Sequence, residues 1–152
     1  MATQVSGANK HRIVVGVDGS ESSRAALRWA LGQARLTGAM VEAVTAWEIP
    51  AAYGYPAPFL DDVNFAELAK QVVTDAIAEV SGGTEPVPIR YQVVEGNPAR
   101  VLLTASAGAD LLVVGSRGHG GFTEALLGST GQHCVHHATC PVVVIRDSIT
   151  RP

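Results

Sequence analysis

Lysine is the scarcest charged residue in this chain: there are two, Lys10 and Lys70, and neither lies in a glycine-rich stretch. Lys and Arg together number 11 against 14 Asp and Glu, a formal net charge of −3. The basic excess that nucleic-acid phosphates attract is missing, so no nucleic-acid partner is expected. Cysteine is scarce as well: Cys134 and Cys140 are too few for the disulfide scaffold of a small secreted protein. No apolar run approaches the roughly 20 residues that span a bilayer, so no membrane partner is expected. The first ten residues, MATQVSGANK, lack the apolar core of a signal peptide. A cytoplasmic protein is the expectation. What remains is 47% apolar and 152 residues long, enough for one domain around one core.

The apolar residues fall in an alternating order of strands and helices. IVVGV (13–17) is a continuous β-branched run, the pattern of a strand buried on both faces. DGSESS follows, with Ser20 as expected N-cap and Glu21 favourable in the first turn of a helix that runs to about Leu36 and stops at Gly38. Ala26, Trp29, Ala30 and Ala34 are expected on its inner face. VEAVTAW (41–47) is the second strand, and the proline- and tyrosine-bearing stretch 48–61 is a loop. A second helix is expected from about Asp62 to Val80, with Phe65, Leu68, Val72, Ala76 and Val80 inward. In residues 87–94, Val87, Ile89, Tyr91 and Val93 alternate as a third strand. Asn97-Pro98 starts a short helix ending near Gly108. ADLLVVG (109–115) is the fourth strand, a helix spans about Phe122 to His137, and VVVI (142–145) is the fifth strand. This alternation implies an α/β fold, a single open five-stranded parallel sheet with helices on both faces. The expected organisation is a flexible tail at 1–10, one domain over 11–147 and a second tail at 148–152.

Chemistry concentrates in GSRGHGGFTEALLGST, residues 115–130. It begins where the fourth strand ends, and ligands of open parallel sheets bind beyond the carboxyl ends of the strands, at the topological switch point. Glycines there let backbone N–H groups approach phosphate oxygens. The next helix N-terminus favours an anion, and Arg117 can add charge-assisted contacts. The stretch lacks the Gly-Lys-Ser/Thr of a Walker A loop and the G-x-G-x-x-G dinucleotide fingerprint. By itself a glycine-rich turn is equally a tight connection.

The spacing Gly115-x2-Gly118-x9-Gly128-Ser129-Thr130 resembles the nucleotide signature of the ATP-binding universal stress proteins. IVVGVDGSESS, EGNPARVLLTASAGADLLVVGSRGHGG and LLGSTGQHCVHHATCPVVVIR resemble that family's segments in the same order, from about residue 12 to 146 apart from the 48–61 loop. The resemblance implies the Rossmann-like adenine nucleotide alpha hydrolase-like fold, with strand order 3-2-1-4-5. It also implies an ATP site. Gly16, Val17 and Asp18 would line the adenosine side, and the Ala46 backbone would meet adenine. Gly115, Ser116, Arg117, Gly118, His119 and Gly120 would cradle ribose and phosphates. Gly128, Ser129 and Thr130 would close on the phosphates. Asp18 is the one candidate ligand for an accompanying Mg²⁺; otherwise it is an ordinary turn residue. The resemblance further implies a homodimer through the fifth strand, Val142, Val143, Val144 and Ile145.

Other motifs carry less. His133, Cys134, His136, His137 and Cys140 cluster near the C-terminus, with His133 and His137 spaced to share a helix face. The H-E-x-x-H pattern is absent, so no metal site is expected there and the two cysteines read as small packing residues. SGGTEP (81–86) follows a helix and reads as its terminator. No G-x-S-x-G elbow places a nucleophile, so no catalytic residue is assigned and any ATP hydrolysis should be slow. The expected function is a nucleotide-dependent regulator in the stress response. A slow ATPase, a cyclic-AMP binder and a nucleotide-independent interaction module are the alternatives.

Overall fold

A computed structural model describes residues 11–49, 63–82, 87–117 and 127–146. The elements follow the expected alternation: β1 (Arg12–Gly16), α1 (Glu21–Thr37), β2 (Met40–Trp47), α2 (Phe65–Ser81), β3 (Ile89–Glu95), α3 (Pro98–Ala105), β4 (Leu111–Gly115), α4 (Ser129–His137) and β5 (Val142–Ile145). The five strands form one sheet in the order β3-β2-β1-β4-β5, and every neighbouring pair is parallel.

Alternating side chains feed two cores. On one face Ile13, Val15, Val41, Ala43 and Val113 meet α1 and α2. On the other, Val14, Val44, Leu112 and Val114 meet α3 and α4. A sheet covered on both faces needs apolar residues at successive positions, which is why β1 and β4 read as unbroken runs.

The helix ends follow from local chemistry. Ser20 caps α1 by accepting from the Ser23 N–H, and Gly38 closes it in the left-handed conformation at φ 79°. Asn64 and Asn97 cap α2 and α3 in the same way, accepting from Glu67 and Arg100. Pro98 occupies the first turn of α3. Gly82 ends α2, in keeping with the terminating role read for residues 81–86, of which 83–86 lie outside the described residues.

Two inward faces differ from the sequence reading. Ala26, Ala30 and Ala34 are buried, but Trp29 is 36% exposed, and Leu27 and Leu31 complete the face instead. Each position turns the helix by about 100°, so the face that puts Leu27 and Leu31 on the sheet leaves Trp29 on the rim. In α2 the buried residues are Ala69, Val73 and Ala76, while Leu68 is 55% exposed. Val73 and Ala76 enter the core, and Val72 and Val80 pack at its side. In β3, Ile89 and Val93 face the α1–α2 core, but Tyr91 lies exposed on this edge strand. α2 starts at Phe65 rather than near Asp62, and α3 ends at Ala105, short of Gly108. α4 begins at Ser129, with Leu127 and Gly128 non-helical before it. The expected start near Phe122, the two tails and most of the 48–61 loop lie outside the described residues.

Candidate functional site

β1 is central, and its successor β2 lies on one side while β4 lies on the other. The carboxyl ends of β1 and β4 therefore mark the topological switch point, where open α/β sheets bind ligands. The structure brings Gly16, Val17, Asp18, Ala46, Gly115, Ser116, Arg117, Gly128, Ser129 and Thr130 to this end of the sheet. Gly118, His119 and Gly120 lie outside the described residues.

The β1 side is a tight turn. Asp18 Oδ1 accepts from the Ser20 N–H at 2.9 Å and from the Ser20 hydroxyl at 2.5 Å. The Asp18 N–H donates to Ser23 Oγ at 3.2 Å. Arg24 steadies the turn from below, donating to the Gly19 carbonyl at 2.7 Å and to Glu21 at 2.8 Å. Arg24 and Arg28 hold the Glu21 carboxyl below its usual pKa, the hydrogen bond from Arg24 contributing most.

On the β2 side the strand outruns β1. Their register ends at Gly16↔Val44, and the final rung is the Val17 N–H to the Val44 carbonyl at 2.9 Å. The next rung would carry the Ala46 N–H to the Val17 carbonyl. That carbonyl instead accepts from the buried Thr45 hydroxyl at 2.8 Å. By strand alternation the Ala46 peptide groups point to the β1 side, beyond the end of the ladder.

The β4 side carries the connection toward α4. The Ser116 N–H donates to the Ile145 carbonyl at 2.8 Å, and the Ser116 carbonyl accepts from Gly128 at 2.9 Å. Ser116 thus ties the end of β5 to the start of α4. Gly128 is the N-cap of α4, and as a glycine it has no side chain to cap the helix. Its first-turn donors at Ser129, Thr130 and Gly131 have no partner within the helix, and the positive end of the dipole lies behind them. Gly115 and Gly16 owe their lack of a side chain to close neighbours. A Cβ on Gly115 would lie 2.7 Å from the Ser22 carbonyl carbon and closer still to its hydroxyl, and one on Gly16 would lie 2.8 Å from Leu102 Cδ1.

Three hydroxyl residues of this site, Ser22, Ser23 and Thr45, escaped the sequence reading although all three are buried. The serine run after Asp18 was the available signal, since polar residues packed into a first helical turn need partners. Of the C-terminal cluster, the two cysteines pack, while His133, His136 and His137 are exposed. Cys134 is buried in the α3–α4 core with Cys140 against it, and both thiols are free. Burial pushes the Cys134 thiol up to about 11, helped by Cys140. His133 and His137 do share a helix face, with ring centroids 5.4 Å apart. Among the described residues no three His, Cys, Asp or Glu side chains converge as a metal site would require.

The sequence profile described as "Universal stress protein family" matches residues 10–146. This chain belongs to the universal stress protein family. A universal stress protein of Mycolicibacterium smegmatis is 37% identical over 151 residues, covering 93% of this chain and 50% of that protein. The chain spans about half the length of the curated relatives it matches. Among solved structures, universal stress protein UspA from Lactobacillus plantarum is 28% identical with a TM-score of 0.72, covering 91% of this chain and 99% of that one. A universal stress protein in complex with cAMP is 27% identical with a TM-score of 0.63, covering 91% and 98% of the two chains. These family members share the Rossmann-like five-stranded fold. Among the described residues no helix is long and apolar enough to cross a membrane.

Proposed function

We propose that this universal stress protein is a cytoplasmic, ATP-binding regulator that works as a homodimer. The observation that carries the reading is the strand order, which sets the Asp18 turn on one side of the switch point and the glycine-capped start of α4 on the other. Gly16, Val17, Asp18 and the Ala46 backbone take the adenosine end. Gly115, Ser116, Arg117, Gly118, His119 and Gly120 hold ribose and phosphates. Gly128, Ser129 and Thr130 meet the phosphates at the helix N-terminus. Mg²⁺ held between phosphates and protein needs one or two carboxylates, and the exposed Asp18 is suited to supply one. Bound Mg²⁺ would neutralise phosphate charge. Ligand occupancy, rather than turnover, is the output.

Homodimerisation is supported by β5, which lies at the edge of the sheet with Val142, Val143, Val144 and Ile145 half-buried. An unpaired apolar edge invites a second copy. A species that sediments as a monomer at micromolar concentration would remove the dimer from the proposal.

Cyclic AMP is the second reading, favoured by the solved relative that carries it. Both ligands share adenine and ribose, so the test compares them directly. Nucleotide-free protein is titrated with ATP, ADP, AMP and cyclic AMP, with and without Mg²⁺, while thermal unfolding is followed. A ligand at 100 times its dissociation constant adds about 2.7 kcal/mol. At roughly 2–4 °C per kcal/mol, that is a rise of about 5–10 °C. The largest shift with ATP supports the first reading, and the largest with cyclic AMP supports the second. No shift with any nucleotide would refute both and leave a nucleotide-independent interaction module.

A further inference from the structure

One buried side chain joins the β1 and β4 sides of the switch point. Ser22 sits in the first turn of α1, at 2% exposure, on the β1 side of the site. Its hydroxyl donates to the Arg117 carbonyl at 2.6 Å, and the Arg117 N–H donates back to Ser22 Oγ at 3.3 Å. Both peptide groups of Arg117 are therefore engaged by one oxygen. Ser20 approaches the same carbonyl at 3.4 Å while its hydroxyl serves Asp18. Gly115 passes so close to Ser22 that no Cβ fits between them.

A buried serine needs its hydroxyl satisfied, but α1 offers the Ser22 hydroxyl no unique need for Arg117. Ser20 already caps this helix, accepting from Ser23. The Ser22 bonds reach 95 positions along the chain to the last described residue before the glycine-rich segment. Their effect is to hold the Arg117 backbone, just past the end of β4, beside the first turn of α1.

We infer that Ser22 is a positioning residue for the phosphate side of the site, fixing the Arg117 backbone at the end of β4 against the first turn of α1. The inference rests on the nucleotide reading above. Ser22 need not touch the ligand. It acts through Arg117, so its removal weakens contacts to phosphates and spares contacts to adenosine.

The test compares wild-type protein with Ser22→Ala by calorimetric titration of ATP and of adenosine, which lacks the phosphates. Hydrogen exchange at the Arg117 amide is measured in the unliganded proteins. Loss of a neutral hydrogen bond predicts ATP binding about fivefold weaker in the variant, with adenosine unchanged and Arg117 exchanging faster. ATP and adenosine weakened by equal factors would overturn the inference alone, because a general loss of structure does not discriminate between them. Unchanged Arg117 exchange would overturn it too, without reference to any ligand. Wild-type protein that binds neither compound overturns the nucleotide reading first.

Discussion

Replacing Gly115 with alanine separates two explanations of that glycine, ligand approach and packing. The added Cβ would lie 2.7 and 2.8 Å from the carbonyl carbon and oxygen of Ser22. Both are backbone atoms in the first turn of α1, so no rotamer change relieves the contact, and the helix start or the end of β4 must move. Overpacking of this kind costs about 1–3 kcal/mol, and a backbone obstacle places Gly115→Ala near about 3 kcal/mol. In a domain of this size the unfolding midpoint should fall by about 6–12 °C. The matched control is Gly32→Ala in the middle of α1, where the nearest atom to a new Cβ is Arg35 Nη1 at 3.9 Å. Alanine is favoured over glycine inside a helix by about 1 kcal/mol, so this midpoint should rise by about 2–4 °C. Thermal denaturation followed by circular dichroism, without ligand, reads both. A Gly115→Ala protein that melts with the wild type would refute the packing argument. If the argument holds, a Gly115 variant that binds no nucleotide says nothing about phosphate approach.

Three further outcomes follow from charges and thiols. Arg12 donates to Glu42 at 2.9 Å and to the carbonyls of Ala105 and Ala107 at 2.8 and 2.9 Å, with both charged side chains largely buried. Arg12→Met should therefore cost about 2–3 kcal/mol in urea unfolding, and a smaller loss in the Glu42→Gln background would show that the pair is coupled. The lowered pKa of Glu21 means that its carboxylate adds stability above its unfolded value of 4.5 and loses that contribution as pH falls through the lower folded value. Wild type should thus melt higher than Glu21→Gln at pH 7 and converge with it in acid; equal midpoints at neutral pH would refute this. The Cys134 thiol, raised to about 11, stays protonated at pH 8 in the fold, so iodoacetamide should label the more accessible Cys140 first, as peptide mapping would show.

The fold was legible because strands covered on both faces leave unbroken apolar runs such as Ile13–Val15, and because Ser20, Asn97 and Pro98 mark helix starts by their own hydrogen-bonding chemistry. Strand order was a different matter: nothing in the residues of β4 states that it lies beside β1, and only likeness to a family supplied it. Trp29 and Leu68 lie outside the core because the buried arcs centre on Ala30, Leu27 and Leu31 in α1 and on Ala69, Val73 and Ala76 in α2, and size and apolarity do not say which arc faces the sheet. In the site, Asp18 was visible as a turn residue. Ser22 and Thr45 were not, since their partners, Arg117 and Val17, lie 95 and 28 positions away. Side-chain bonds to distant backbone follow no local spacing rule.

The unequal lengths of β1 and β2 have a consequence for how this protein can change. Beyond Gly16↔Val44 the sheet has a step one strand wide, and what faces the step at Ala46 is peptide, not side chain. Nearly every substitution at position 46 preserves the N–H and C=O that face it, and proline alone removes the donor. On the nucleotide reading proposed above, adenine meets main chain at this position, and recognition of that kind is silent to side-chain scanning and passes through sequence drift unaltered. On that reading this side of the switch point comes with the fold itself, and substitution can reshape what surrounds it without erasing it.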